Sequence, residues 1–302
     1  RRIDLDCAPL IEAAGVVSRC IADGPVSREA NDARDFLAAS PAAARIVVDH
    51  YALGEPWHRA VREASGAKLA AIDDIADRAL AVDWLVDPNH SADPAAKFAG
   101  LIGPQTHLLA GPRHALLAPA YADAPRCELR DSVHSIGLFM GGTDAANFSL
   151  LALRALRDGA GFGGAIEIAT TSGNPNLAAL REAIAGDERT RLTLDQSDLA
   201  AFFARHDLQI GAGGGATWER CCVGAPTLAL IAADNQRAVL LPLQDLGVLR
   251  VLADEPPSQA TIADAARELI TNPALRRSLA ERSRALVDGR GALRVATALL
   301  AP

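Results

Sequence analysis

A chain of 302 residues, half of them apolar, is long enough to bury a substantial core and suits two domains of ordinary size. Its 30 Lys and Arg against 37 Asp and Glu leave a net charge of −7 with no long basic run. That balance argues against a nucleic-acid or anionic-membrane surface and for a small-molecule partner.

Apolar stretches such as "APTLALIAA" (225–233) fall far short of the roughly 20 residues that span a bilayer. No charged-then-apolar leader opens the chain, so a cytoplasmic location away from membranes is expected. Five cysteines, Cys7, Cys20, Cys127, Cys221 and Cys222, lack metal-ligand spacing and read as reduced thiols. The seven histidines show no i, i+4 pair and no H-E-x-x-H, so no metal site is expected, and no cofactor is expected either. No G-x-S-x-G elbow appears, which weakens a serine-hydrolase reading.

In chain order, "RIVVDHY" (45–51) predicts a strand, "GEPWHRAVREASG" (54–66) a helix and "KLAAIDD" (68–74) a second strand. Asp49, His50 and Tyr51 then stand at one strand's carboxyl end, and Asp73 and Asp74 at the next. An Asp there can act as general base, accept from a sugar hydroxyl, or cap a following helix; capping is the plain reading of Asp74. Tyr51 reads equally as a strand-end aromatic or a substrate contact.

Residues 111–135, "GPRHALLAPAYADAPRCELRDSVHS", carry no sustained period and read as a connection between domains, with the boundary near Asp131. The expected division is 1–130 and 131–302, the second part closed by helices. In the second part "SIGLFMGGTD" (135–144) predicts a strand ending in Gly141 and Gly142, with Thr143 or Asp144 free to cap the next helix. "AIEIATTSG", "TRLTLDQ", "LQIGAG" and "PTLALIA" follow as strands separated by helices, and beyond residue 258 the pattern is helical, with Pro273 at a first turn. Alternation of this kind predicts an α/β fold: two doubly wound, Rossmann-like domains facing across a cleft, with ligands at the carboxyl ends of the strands.

"IGAGGGATWE" (210–219) runs a strand into Gly211, Gly213, Gly214 and Gly215 and then a helix from Ala216 or Thr217. Unpaired N–H groups at a helix start, with no side chains to hold a ligand off, make a phosphate seat. A tight strand-to-helix turn explains the glycines as well, since neither a Walker motif nor a good dinucleotide fingerprint is present. Glu219, one turn in, is placed to accept from the two hydroxyls of a ribose, or merely to complement the helix dipole. In "AADNQRA" (232–238), Asp234, Asn235 and Gln236 follow a buried strand, where they can cap a helix or read a sugar's polar groups.

Seven ordered segments carry a resemblance: "VVDHYALGEPW", "AIDDIADR", "LLAGPRHALLAP", "GLFMGGTDAANFS", "IGAGGGATWERCCVGAPTLAL", "DNQ" and "LVDGRGALRVA". Together they resemble the UDP-2,4-diacetamido-2,4,6-trideoxy-β-L-altropyranose hydrolase family of pseudaminic acid biosynthesis, which is similar in fold to GT-B glycosyltransferases. The resemblance implies that Gly213, Gly214, Gly215 and Ala216 cradle the diphosphate of a UDP-sugar and that Glu219 holds its ribose. It implies hydrolysis with inversion and without a metal, assisted by Tyr51 and Asn235; Asp49, Asp74, Gly142 and Gln236 complete the expected substrate-binding set. UDP-sugar and UDP are then the partners, and no protein partner is implied.

The family's catalytic histidine belongs to an amino-terminal "G-x-G-H-x-x-R-C" loop. "AAGVVSRC" (13–20) imitates only its ending, so the loop and about 40 residues around it are expected to lie outside this chain. Two rivals remain open: a glycosyltransferase, in which an acceptor hydroxyl replaces water, and a non-catalytic nucleotide-sugar binding protein.

Overall fold

The computed structural model describes residue 15 and residues 29–39, 43–253 and 256–301. The readings of residues 13–20, Cys7 and Cys20 therefore lie outside the described residues, Gly15 aside. The chain divides into two compact units, one of residues 1–88, 92–110 and 295–302, the other of 89–91 and 111–294. No helix among the described residues is long and apolar enough to cross a membrane.

In the first unit, β1 (Arg45–Val48), β2 (Lys68–Ile72), β3 (Trp84–Asp87) and β4 (His107–Ala110) form one sheet in that order, every pair parallel. The β-branched and apolar residues fit a sheet covered by helices: β3 is buried at all four positions. The helices α1 (Glu29–Ala39) and α2 (Glu55–Ser65) pack beside it. α2 turns Trp57, His58 and Val61 inward and stops at Gly66, whose φ of 70° only glycine adopts readily. Trp57 Nε1 donates to Asp32 of α1 at 3.0 Å, so the buried indole keeps a polar partner.

The second unit holds a six-stranded parallel sheet built from β5 (Ser135–Phe139), β6 (Ala165–Thr170), β7 (Thr190–Leu194), β8 (Leu208–Ala212), β9 (Thr227–Leu230) and β10 (Arg250–Leu252). Its order is β10-β9-β8-β5-β6-β7. The chain builds outward from β5 to β7, returns to the other side of β5 with β8, and builds outward again. β5 and β8, paired from Ile136↔Leu208 to Phe139↔Gly211, therefore flank the topological switch point, where open α/β sheets bind ligands at their carboxyl ends.

The connecting helices are α4 (Phe148–Arg154), α5 (Leu177–Ile184), α6 (Ala200–Arg205), α7 (Ala216–Val223) and α8 (Asp234–Asp245); a short α3 (Pro94–Lys97) precedes them in the first unit. Two apolar clusters contribute to the core, one around Ile136, Leu138 and Ile168, the other around Phe203, Trp218 and Val251. Trp218, Cys221 and Cys222 are packing residues of α7, and Cys127, Cys221 and Cys222 are buried free thiols. Three helices close the chain: α9 (Gln259–Thr271), α10 (Pro273–Leu286) and α11 (Gly291–Leu300). A capping box between Ser258 and Thr261 starts α9, and Pro273 opens α10 at its first turn, as expected.

The boundary differs from the sequence expectation. Residues 111–130 read as a connection, yet they belong to the second unit. Two short 3-10 turns, Pro112–His114 and Pro119–Asp123, bury Leu117, Tyr121 and Cys127 beside Trp218 and Val223, worth about 2 kcal/mol for a leucine-sized side chain. Cys127 N–H donates to Val223 O at 2.8 Å, and Arg284 Nη2 donates to Cys127 O at 2.6 Å. Such turns leave no helical or strand period for sequence patterning to detect.

Candidate functional site

The switch point assembles from two glycine turns. β5 is followed by Gly141, at φ 90°, and Gly142, whose carbonyl accepts from Thr170 Oγ1 at 3.2 Å and Thr171 Oγ1 at 2.8 Å. Asp144 is fully engaged as a cap, its two oxygens accepting from the N–H groups of Phe148 and Ser149 at 2.8 and 2.9 Å; Thr143 stands exposed. Beside it, β8 ends in the turn Gly213–Gly214–Gly215. Gly214 needs its identity, with φ at 97°. Gly213 N–H bonds Leu230 O at 3.2 Å, whereas the N–H groups of Gly214, Gly215 and Ala216 have no acceptor among the described residues. α7 begins there without a side-chain cap, so three donors and the positive end of a helix dipole converge on one place.

The turn after β9 closes on the same place. Gln236 folds back so that its Oε1 accepts from Ala232 N–H at 3.0 Å, and a Cβ on Gly213 would lie 2.9 Å from that oxygen. Asn235, on the first turn of α8, is exposed. Glu219 lies half-buried one turn into α7. Burial raises its pKa, with Arg220 and Tyr121 opposing and Asp198 adding to the rise.

In the first unit the sugar-side candidates cluster at the carboxyl ends of β1 and β2. Tyr51, 54% exposed, donates its hydroxyl to Asp74 Oδ1 at 2.9 Å. Partial burial, that bond and the surrounding carboxylates push the Tyr51 pKa up to about 12, so the phenol stays protonated at neutral pH. Asp49 is exposed beside it. The capping expected of Asp74 does not occur: no helix follows β2 in residues 73–83, and Asp74 serves Tyr51 instead. The turn is held by buried Asp73, which accepts from the N–H groups of Ile75 and Ala76 and from Arg78 Nη2 at 2.6 Å. Arg78 also donates to the carbonyls of His50 and Leu53, tying the β1 turn to the β2 turn and fixing where Tyr51 stands.

No protein-family model matches the chain. Two curated proteins are similar to it in sequence. The Bacillus subtilis spore coat polysaccharide biosynthesis protein SpsG is 28% identical over 204 residues, 65% of this chain and 58% of SpsG, so the match spans less than two thirds of that relative's length. The Campylobacter jejuni UDP-2,4-diacetamido-2,4,6-trideoxy-β-L-altropyranose hydrolase is 25% identical over 193 residues, 64% of this chain and 68% of the hydrolase. Among solved structures, Acinetobacter baumannii MurG matches with a TM-score of 0.63 at 13% identity, over 96% of this chain and 87% of MurG. This chain has the GT-B fold.

Within that fold the second-unit residues named from sequence, Gly142, Gly213, Gly214, Gly215, Ala216, Glu219, Asn235 and Gln236, fall on three neighbouring strand ends, β5, β8 and β9. Asp49, Tyr51 and Asp74 form a separate group on the GT-B chain's first sheet. Sequence reasoning missed Arg78, Tyr121 and Arg220. The Tyr121 hydroxyl is buried next to the Glu219 side chain without closing a hydrogen bond on any described acceptor. Arg220 had one signal available: Gly211 interrupts a fully buried strand, which marks a close approach by another group.

Proposed function

We propose that this protein hydrolyses a UDP-linked diacetamido-trideoxy sugar to free sugar and UDP with inversion, in the cytoplasm and within pseudaminic acid biosynthesis. The observation that carries the reading is the trio of open N–H groups at Gly214, Gly215 and Ala216, set at the switch point of the second sheet. The activity for which the Campylobacter relative is named supplies the substrate class.

In this reading water attacks the anomeric carbon and releases a proton to solvent as the bond from that carbon to the diphosphate oxygen breaks, and UDP departs with the bonding electrons. The open N–H groups and the α7 dipole face the charge growing on the leaving diphosphate, the form of stabilisation worth most in such reactions. Glu219 accepts from the ribose hydroxyls. Asp49, Asp74 and Tyr51 are proposed to bind the sugar, and Asn235 and Gln236 are proposed separately to assist at the second unit's strand ends. Tyr51 remains protonated through its bond to Asp74, so its oxygen offers lone pairs to a sugar hydroxyl or the attacking water and positions them rather than removing a proton.

The test is incubation of the protein with the UDP-diacetamido sugar alone in 18O water, followed by NMR and mass spectrometry. Release of UDP and of sugar with inverted configuration and solvent oxygen at the anomeric carbon is the expected result. Turnover that starts only when a hydroxyl acceptor is added makes the protein a glycosyltransferase, and UDP binding with no turnover in either condition makes it a binding protein.

A further inference from the structure

Beneath the glycine-rich turn the fold buries a cation that makes no direct salt bridge among the described residues and feels Glu219 only through space. Arg220 is 1% exposed and takes part in no ion pair among the described residues. Its Nη2 donates to Ala212 O at 2.7 Å and, at the longer distance of 3.4 Å, to Thr217 Oγ1; Nε and Nη1 are buried without any partner. Phe203 lies under the guanidinium, 5.8 Å from its ring centre. Burial lowers the Arg220 pKa to about 10, which leaves the group charged at neutral pH in surroundings that disfavour the charge.

The backbone is shaped to admit this group. A Cβ on Gly211, near the end of β8, would sit 2.5 Å from both Arg220 Nη1 and Phe139 O, so glycine there admits the guanidinium as well as the neighbouring strand's carbonyl. A buried guanidinium with no direct ion pair costs up to several kcal/mol in general, and Glu219 offsets part of that through space, leaving room for a further negative charge to stabilise it. Here the guanidinium grips Ala212 and Thr217, the two ends of the turn that carries the open N–H groups.

We propose that Arg220 is a positioning residue for a bound diphosphate, holding the turn in its donor-out form from below and supplying the positive field that the ligand's charge completes. The inference rests on the reading of Gly214, Gly215 and Ala216 as the diphosphate seat. Arg220 acts through the turn and does not touch the ligand.

Calorimetric titration of UDP, inorganic pyrophosphate and uridine into the parent protein, R220M and R220K tests it, with a thermal melt of each unliganded protein. In R220M the affinities for UDP and pyrophosphate should fall about tenfold or more while uridine stays within about twofold, and the unliganded melt should match or exceed the parent's. R220K, which keeps the charge, should hold UDP within about threefold of the parent; if R220M fails to fold, R220Q, neutral but polar, takes its place and should show the same selective loss of UDP and pyrophosphate against uridine. Equal UDP affinity in parent and R220M overturns the role of Arg220 and leaves the seat standing. A parallel loss of UDP and uridine with a lowered melt, in either variant, makes the residue merely structural and also overturns the proposal. If the parent binds neither UDP nor pyrophosphate, the diphosphate seat itself fails and this inference with it.

Discussion

Glu219 and Asn235 stand on neighbouring helices but are asked to do different things, and single substitutions separate them. Glu219→Ala removes the acceptor proposed for two ribose hydroxyls, a loss of about 1–2 kcal/mol, so calorimetry should show UDP affinity down roughly tenfold. Unchanged affinity would remove Glu219 from the ribose. Asn235→Ala should instead slow turnover more than it weakens UDP, because the exposed Asn235 is proposed to serve the sugar, and equal effects on both would count against that role. Which of these residues sequence can assign is itself a matter of distance along the chain. Asp144 is legible as a cap because its partners, Phe148 and Ser149, follow within five residues. Asp74 reads wrongly as a cap because its partner, Tyr51, is 23 residues away, and only the parallel pairing of β1 and β2 brings the two together.

At the scale of the element, the β8–α7 turn combines one glycine that the backbone demands with another that it does not. Gly214 holds φ at 97°, where an alanine costs about 1–2 kcal/mol, so Gly214→Ala should lower both the melting temperature and UDP affinity. Gly215 has an ordinary φ of −53°, and no atom lies within 4 Å of where a methyl group would stand, so Gly215→Ala should melt like the parent. If the turn seats a diphosphate, that methyl should still weaken UDP; a variant that melts and binds UDP normally speaks against the seat. Strands, helices and this turn are readable from sequence because each obeys a local period or a glycine rule. The 3-10 turns of residues 111–130 are not, since their attachment to the second unit rests on Tyr121, Cys127 and Arg284, residues whose partners lie far along the chain.

For the molecule as a whole, acid should act first through His58. Its imidazole is buried in α2 with neither ring nitrogen bonded, and burial, then Arg78 and Arg62, pull its pKa down to about 4. An unfolded histidine titrates near 6.5, so as pH falls from about 6.5 towards 4 the unfolded chain takes up a proton that the folded chain refuses. The stability lost across that window is about 3 kcal/mol, present in full above it. Denaturant melts between pH 7 and 4.5 should show that slope, and His58→Leu should flatten it. The raised Glu219 carboxyl, protonated first in the folded chain as pH falls, offsets part of the His58 slope, whereas the lowered carboxyls Asp187 and Asp288, both near 2, take effect only at lower pH. Glu167, ringed by Arg191, Arg205 and His206, belongs with them. The strand order carries a further consequence for how this protein comes into being. The glycine turns after β5 and β8 come to the same end of the sheet only when β8 docks on β5, after two complete strand–helix excursions have already been laid down on the far side. A chain emerging from the ribosome with β5 to β7 in place has one of the two glycine turns and not the other, so a ligand that needs both can stabilise the fold only after the crossover to β8 has closed.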